Sequence, residues 1–315
     1  MEGRPFMPFA KSEDEIRGST RAFRPECGGL SMPVPCVNSG TTGMLYSEVH
    51  DYPADHVLKF IKNQAIKYPP YQKEIWDCED HAFLVAADIR CRFPGQPVGV
   101  AIGIAAEPEK IKGAMHAVNY IWFMERDNRT HELKCADFAI FDASLPNPRF
   151  VKGFKPEVII PFPVSGLKKE KDCPPGSGLV FRSKASFQLD RKLPNFNLMP
   201  DVQKTLNEKS VTCPKPAKIE FESDNHWPTL HKTRELWSYR DDMFYAFAQI
   251  RKKHMGAPVG VAFGSATFGP SKNTIEDYAA LVLWESANKF KYWDYKEKAE
   301  PKDFGFTFDP RIVIV

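Results

Sequence analysis

The chain has 315 residues, 43% hydrophobic and 26% charged, which sets it among ordinary globular proteins with length for about two domains. Its 43 basic and 40 acidic residues leave a formal charge of +3, so no electrostatic excess marks nucleic acid or an anionic membrane as the main partner. No apolar stretch approaches the roughly 20 residues of a bilayer span, and the opening MEGRPFMPFAKSEDEIRG lacks the apolar run of a secretory signal, so a cytoplasmic protein without a membrane span is expected.

In chain order, the first forty-odd residues, with PECGGLSMPVPCVNSGTTG, read as loop or extended arm and carry no assignable role. Pro53 to Tyr68 has the spacing of an amphipathic helix. Asp77 is a good N-cap for a second helix, in which Ala82, Val85, Ala86 and Ile89 recur at helical spacing before the stop at Pro94-Gly95. The runs PVGVAIGIA, HAVNYIWF, FAIFDA and EVIIPFP are β-rich, and the polar ERDNRTHE between the second and third reads as a hairpin turn. Ser165 to Lys218, rich in Pro, Lys and Ser, reads as a connector.

The segment Glu74 to Gly103 then returns at Glu235 to Gly264 with 14 of 30 positions identical and no gap, including PVGVA in both. Agreement at this level indicates a duplicated unit. At the same offset of 161, NYIWF falls on ALVLW, and later KPEVII resembles DPRIVI. The expected architecture is α+β: two units, each a helix packed on an antiparallel sheet, arranged as a pseudo-symmetric tandem. The boundaries are an arm plus first unit over 1–164, a linker over 165–218 and a second unit over 219–315.

The chemistry concentrates in the first unit. A helix N-terminus directs backbone N–H groups and the positive end of the dipole at the Cys78 sulfur, which favours a thiolate. Asp77, Glu79 and Asp80 oppose that, so an imidazolium partner is needed. His116 opens a strand downstream and can face the helix start, and Asp142 on the returning strand can hold its tautomer. Seven cysteines, an odd number without metal-ligand spacing, indicate neither a zinc site nor a disulfide framework and leave at least one thiol free. His81, three residues after Cys78, is expected on the helix surface. His50 and His56 lack a third spaced metal ligand, His131 in HELKC lacks the second histidine of a zinc-protease helix, and KKEKD near residue 170 reads as solvated linker.

DCEDHA around Cys78, HAVN around His116 and FDAS around Asp142 resemble the three blocks of the transglutaminase-like cysteine peptidases, including the bacterial transglutaminase-like group, within the wider papain-like fold. The resemblance covers roughly Pro53 to Pro163. It implies that Cys78 attacks an amide or related carbonyl, His116 shuttles the proton and Asp142 orients the histidine. The long hairpin between His116 and the acid leaves Asp137 as a rival third member. For the oxyanion hole, Gln72 has the spacing of the papain glutamine and Trp76 is the rival on the transglutaminase pattern, although its counterpart Trp237 also gives it a packing role. The papain-like fold also occurs in certain fungal calcium-dependent lectins, where acids beside the cysteine bind metal, and Glu79 and Asp80 fit that reading weakly.

At the repeat offset Cys78 becomes Tyr239 and His116 becomes Asp277, with Asp142 corresponding to Asp294 once the shorter hairpin is allowed for. The second unit thus keeps the scaffold and loses the reactive groups. The expectation is a cysteine-dependent hydrolase of a peptide or small amide, working through an acyl-enzyme without a cofactor, with an inactive second unit as scaffold or substrate wall. The alternatives are a non-enzymatic, metal-dependent binding protein on the same fold, and acyl transfer to an amine. The oligomeric state is not readable.

Overall fold

A computed structural model describes residues 26–27, 30–31, 52–72, 75–105, 115–126, 129, 133–152, 154–162, 195–208, 239–268, 273–286 and 289–314. The arm and most of the connector therefore lie outside the described residues, apart from the two-residue strands β1 (Glu26–Cys27) and β2 (Leu30–Ser31), which pair antiparallel.

Helix α1 (Ala54–Ala65) starts after Pro53 and buries Val57, Ile61 and Ala65, four residues apart on one face. Helix α2 (Cys78–Arg92) is closed at its start by a capping box: the Asp77 side chain accepts from the Glu79 amide at 3.2 Å, and the Asp80 carboxylate accepts from the Asp77 amide at 3.4 Å. The strands β3 (Val98–Ile104), β4 (Met115–Arg126), β5 (Leu133–Asp142), β6 (Arg149–Phe150) and β7 (Lys155–Phe162) form an antiparallel sheet in the order β6-β5-β4-β3-β7. Val98, Val100 and Ile102 pack toward α2 while Ala101 belongs to a cluster on the other face, the period-two pattern of a strand covered on both sides.

Helices α3 (Met199–Glu208) and α4 (Tyr239–Lys253) precede a second antiparallel sheet of β8 (Val259–Phe268), β9 (Asn273–Ser286), β10 (Lys289–Trp293) and β11 (Phe306–Ile314), ordered β10-β9-β8-β11. The α+β class with antiparallel sheets is thus as expected. The connector is not wholly a connector: α3 lies within 165–218 and buries Val202 and Leu206 in the main core, and Thr205 Oγ1 meets His254 Nε2 at 2.8 Å. Two apolar residues four apart suffice for this, and the Pro- and Lys-rich composition around them hides the signal.

The two sheets match in detail. β3 pairs β7 with Ala101 opposite Ile159, and β8 pairs β11 with Ala262 opposite Val313. Both edges carry a one-residue bulge at the same place, Glu157 in the first and Arg311 in the second. One correspondence read from the gapless offset is displaced. Gly103 faces His116 across β3 and β4, and Gly264 faces Tyr278 across β8 and β9, so the counterpart of His116 is Tyr278 and not Asp277. The stretch from Gly264 to Tyr278 holds one residue more than that from Gly103 to His116, taken up by a bulge in β9 between the Gly264–Tyr278 and Ala266–Ile275 pairs, which shifts every later position by one.

α2 packs on β3 and β4, α4 packs on β8 and β9, and the helices pack on each other. A single core results, drawing on α1 to α4 and the inner faces of both sheets. Because α2 is covered on both sides, it is buried from Cys78 to Cys91 except at Glu79, so it has no solvent face. The charged residues this buries are paired across the contact. Arg90 donates from Nε and Nη2 to the two carboxylate oxygens of Asp241 at 2.8 and 2.9 Å, and Arg251 donates to Asp80 Oδ1 from Nε at 2.8 Å and Nη2 at 2.7 Å. These pairs are one contact made twice, since Asp80 and Arg90 occupy the same repeat positions as Asp241 and Arg251. Phe83 sits edge-on to Phe244, its own counterpart, with ring centroids 6.1 Å apart. Residue i meeting j' while j meets i' is the signature of a two-fold interface.

Candidate active site

Three segments of the first unit converge at one end of its sheet: the start of α2, the start of β4 and the end of β5. Cys78 is the first residue of α2 and is buried, 9% exposed. Its thiol donates to Glu79 Oε2 at 3.1 Å. Burial pushes the Cys78 thiol well above its usual range, the Glu79 and Asp77 carboxylates and the bond to Glu79 push it further, and the Ala117 amide works in the opposite direction. Cys78 is therefore a protonated thiol at rest. Glu79 is also raised, first by burial and then by the Asp77 charge, with the thiol donating against the rise.

Ala117, whose amide faces Cys78, is next in the chain to His116. His116 is 8% exposed, and its Nε2 lies 2.7 Å from Asp142 Oδ2. A carboxylate can only accept, so Nε2 carries the proton and Nδ1 is left as the basic nitrogen. Asp142 is held in turn: Oδ1 accepts from the Ser144 amide at 3.0 Å and the Ser144 hydroxyl at 2.8 Å, and that hydroxyl also stands 3.4 Å from His116 Nε2. Ser144 is absent from the sequence reading, although Asp-x-Ser closing a strand is a local turn signal. Asn119, three residues after His116, fastens β4 to the helix by donating to the Ala82 carbonyl at 2.8 Å.

His116 and Asp142 are thus brought together, and the start of α2 is brought to the same strand end. Among the described residues no hydrogen bond joins Cys78 to His116, and the thiol is turned to Glu79 instead. Asp137 is exposed, pairs with Phe123 and turns its Oδ1 to the Phe138 amide at 2.7 Å, so the acid that meets His116 is Asp142. Gln72 is half-buried, and its backbone bonds Trp76 in both directions at 2.8 and 2.9 Å. Trp76 is fully buried, with an indole N–H that has no partner among the described residues and a ring 5.5 Å from that of His81.

His81 is not on the surface. It is 3% exposed, among the described residues neither ring nitrogen is hydrogen-bonded, and the rings of Trp76 and Tyr68 in the same unit lie 5.5 and 6.5 Å from its own. Burial lowers its pKa to about 4, against the pull of Asp142 and Asp77. Of the two weak metal candidates, Asp80 is committed to Arg251, whereas Glu79 keeps its oxygen with those of Asp77 and the Cys78 sulfur, all within 4.8 Å of one another. His56 stands 3.8 Å from Asp55, its neighbour in the chain, and both are exposed. His50 and His131 lie outside the described residues. Against the sequence expectation Cys91 is disulfide-bonded, while Cys78 is free.

The second unit holds the equivalent constellation with different groups. Tyr239 opens α4 where Cys78 opens α2. The Tyr278 hydroxyl donates to Asp294 Oδ2 at 2.6 Å, where His116 meets Asp142, and Asp294 Oδ1 accepts from the Lys296 amide at 2.9 Å, as Asp142 does from Ser144. The carboxylate and its turn are retained, and the thiol and imidazole are replaced.

Compared with known proteins, the chain matches no protein-family model, no curated protein and no solved structure.

Proposed function

We propose that the first unit is a transglutaminase-like or papain-like cysteine hydrolase that cleaves a peptide, isopeptide or related carbonyl bond through an acyl-enzyme, and that the second is its inactive counterpart. The observation that carries the reading is the buried His116–Asp142 pair at 2.7 Å, with the amide after His116 facing Cys78 at the first residue of α2. In this reading the thiol leaves Glu79 and passes its proton to His116 Nδ1, and the thiolate attacks the carbonyl carbon. The tetrahedral oxyanion is met by the Cys78 backbone N–H and by the unpartnered Trp76 indole N–H, or by Gln72 if that side chain turns in. The imidazolium protonates the leaving amine, an acyl thioester remains, and water activated by His116 releases the acid. Asp142 keeps Nε2–H in place throughout. An amine in place of that water would make the same site an acyltransferase.

A second reading rests on the thiol itself. Its bond to Glu79, and the approach of Asp77, Cys78 and Glu79 ligand atoms within 4.8 Å, favour a metal-dependent binding module that performs no chemistry. Turnover of a screened acyl substrate separates the two. Cys78→Ala and His116→Ala should each abolish nearly all of it, and the double variant should be no worse, because both act on one step. Asp142→Asn should cost less, and Tyr239→Phe almost nothing. Full activity in Cys78→Ala would overturn the enzymatic reading.

A further inference from the structure

We propose that Ser144 is a positioning residue of this site: through the Asp142 carboxylate it fixes the His116 ring with its proton on Nε2, and so leaves Nδ1 open to receive the thiol proton. The effect on turnover rests on the hydrolase reading, whereas the effect on the imidazole rests on the hydrogen bonds alone. A serine hydroxyl has one proton to give. Here it goes to Asp142 Oδ1 at 2.8 Å, since a carboxylate can only accept. The lone pairs of Oγ are therefore what His116 Nε2 meets at 3.4 Å, while Asp142 Oδ2 meets the same nitrogen at 2.7 Å. Two acceptors converge on Nε2, and only the tautomer protonated there suits both. The Ser144 amide also donates to Oδ1, at 3.0 Å, so that oxygen is tied twice and the carboxylate cannot swing Oδ2 away from the ring. Ser144 is 8% exposed and Asp142 1%, which keeps bulk water from replacing these donors.

The second unit separates the hydroxyl from the needs of the fold. There Asp294 opens the equivalent turn, and its Oδ1 accepts from the backbone amides of Lys296 and Glu297 at 2.9 and 3.0 Å. The residue two after the acid is a lysine in place of the serine, and its ammonium pairs with Asp242. Backbone amides therefore suffice to hold a carboxylate in this turn. The group held against Asp294 is the Tyr278 hydroxyl at 2.6 Å, which has one proton and no tautomer to choose. The serine hydroxyl thus stands in the unit that has an imidazole, within reach of that imidazole, and is replaced where the imidazole is replaced.

In the full chain with isotope-labelled histidines, the Nε2 proton of a carboxylate-bonded imidazole resonates well downfield of the amides, and the His116 signal is the one lost in His116→Gln. That signal is expected in the native protein, moved upfield and exchanging faster with water in Ser144→Ala, and returned by Ser144→Thr, which keeps the hydroxyl. Its absence from the native protein, or an unchanged signal in Ser144→Ala, would overturn the proposal. Ser144→Ala keeps the amide and should fold; a variant that does not fold would also overturn it, by giving the hydroxyl the structural role that backbone fills in the second unit. On a screened acyl substrate Ser144→Ala should lower kcat by about ten- to a hundredfold with KM little changed, and Ser144→Thr should recover most of the loss. Combined with Asp142→Asn, Ser144→Ala should be no slower than Asp142→Asn alone, because the hydroxyl acts through the carboxylate. An unchanged kcat, a change confined to KM, or losses that simply add would each count against the assignment. A native protein with no turnover sinks the hydrolase reading, and the proton signal then decides this inference by itself.

Discussion

At the scale of single residues, burial sets the resting state of the thiol and Glu79 reinforces it. A carboxylate that accepts the thiol proton's hydrogen bond, in a buried setting with Asp77 nearby, holds Cys78 protonated. Glu79→Gln keeps an acceptor in place and removes the charge, so the thiol pKa should fall. The rate of Cys78 alkylation by iodoacetamide, followed against pH, should have its midpoint lower in the variant, and an unmoved midpoint would sink the idea. His81 gives a separate test. Its pKa falls from 6.5 unfolded to about 4 folded. A base depressed in this way contributes stability that is complete above pH 6.5 and lost as pH drops through the window from 6.5 to about 4. The loss is on the order of 3 kcal/mol. Urea midpoints for the native chain and His81→Phe should therefore diverge across that window, with the variant flatter, and parallel curves would refute the assignment.

At the scale of elements, the reciprocal pairs between α2 and α4 are the sharpest object for mutation. Removing one partner of a buried ion pair leaves an unpaired charge, which costs about 3–5 kcal/mol, whereas replacing both by apolar residues of similar size is often neutral. Asp241→Leu should thus strongly destabilise the fold, and adding Arg90→Met should recover most of the loss. Guanidinium unfolding of the single and double variants reads the coupling, and strict additivity would show that the pair is not coupled. This same contact marks the limit of what the sequence displays. The strands are legible because β-branched runs end at turn residues, and the start of α2 is legible because Asp77 caps it. The burial of His81 is not legible, since the Tyr68 and Trp76 rings that lie beside it come from outside the periodicity of α2. The register of Tyr278 escapes a gapless comparison because one added residue, absorbed as a bulge inside β9, carries no mark of its own. The meeting of His116 with Asp142, and not Asp137, depends on where the hairpin closes, which local composition does not state. The bond at Cys91 was hidden for a similar reason: an odd count tells how many sulfurs remain, not which ones pair.

At the scale of the whole molecule, the shared core means that neither sheet is complete alone. Val57 and Ile61 of α1, Val202 and Leu206 of α3 and the facing aromatics Phe83, Phe244 and Phe247 enter one cluster. Each unit expressed separately should expose this surface and be less soluble and less stable than the full chain. Mixing the two units should restore a one-to-one complex, which sedimentation would detect. Two monomeric, stable, non-associating halves would contradict the shared core.

The self-complementary helix face has a consequence for how the second unit was free to change. Two partners joined in one chain meet at an effective concentration of about 1 mM, so a contact with a dissociation constant as weak as about 10 μM is closed roughly a hundredfold over open. Closure then depends on the charges at Asp80, Arg90, Asp241 and Arg251 and on the aromatic seam, none of which belongs to the thiol, imidazole or carboxylate positions. The grip between the halves and the reactive groups are thus written on separate residues. Tyr239 and Tyr278 can stand where Cys78 and His116 stand in the other half without loosening the body that holds Cys78 in place.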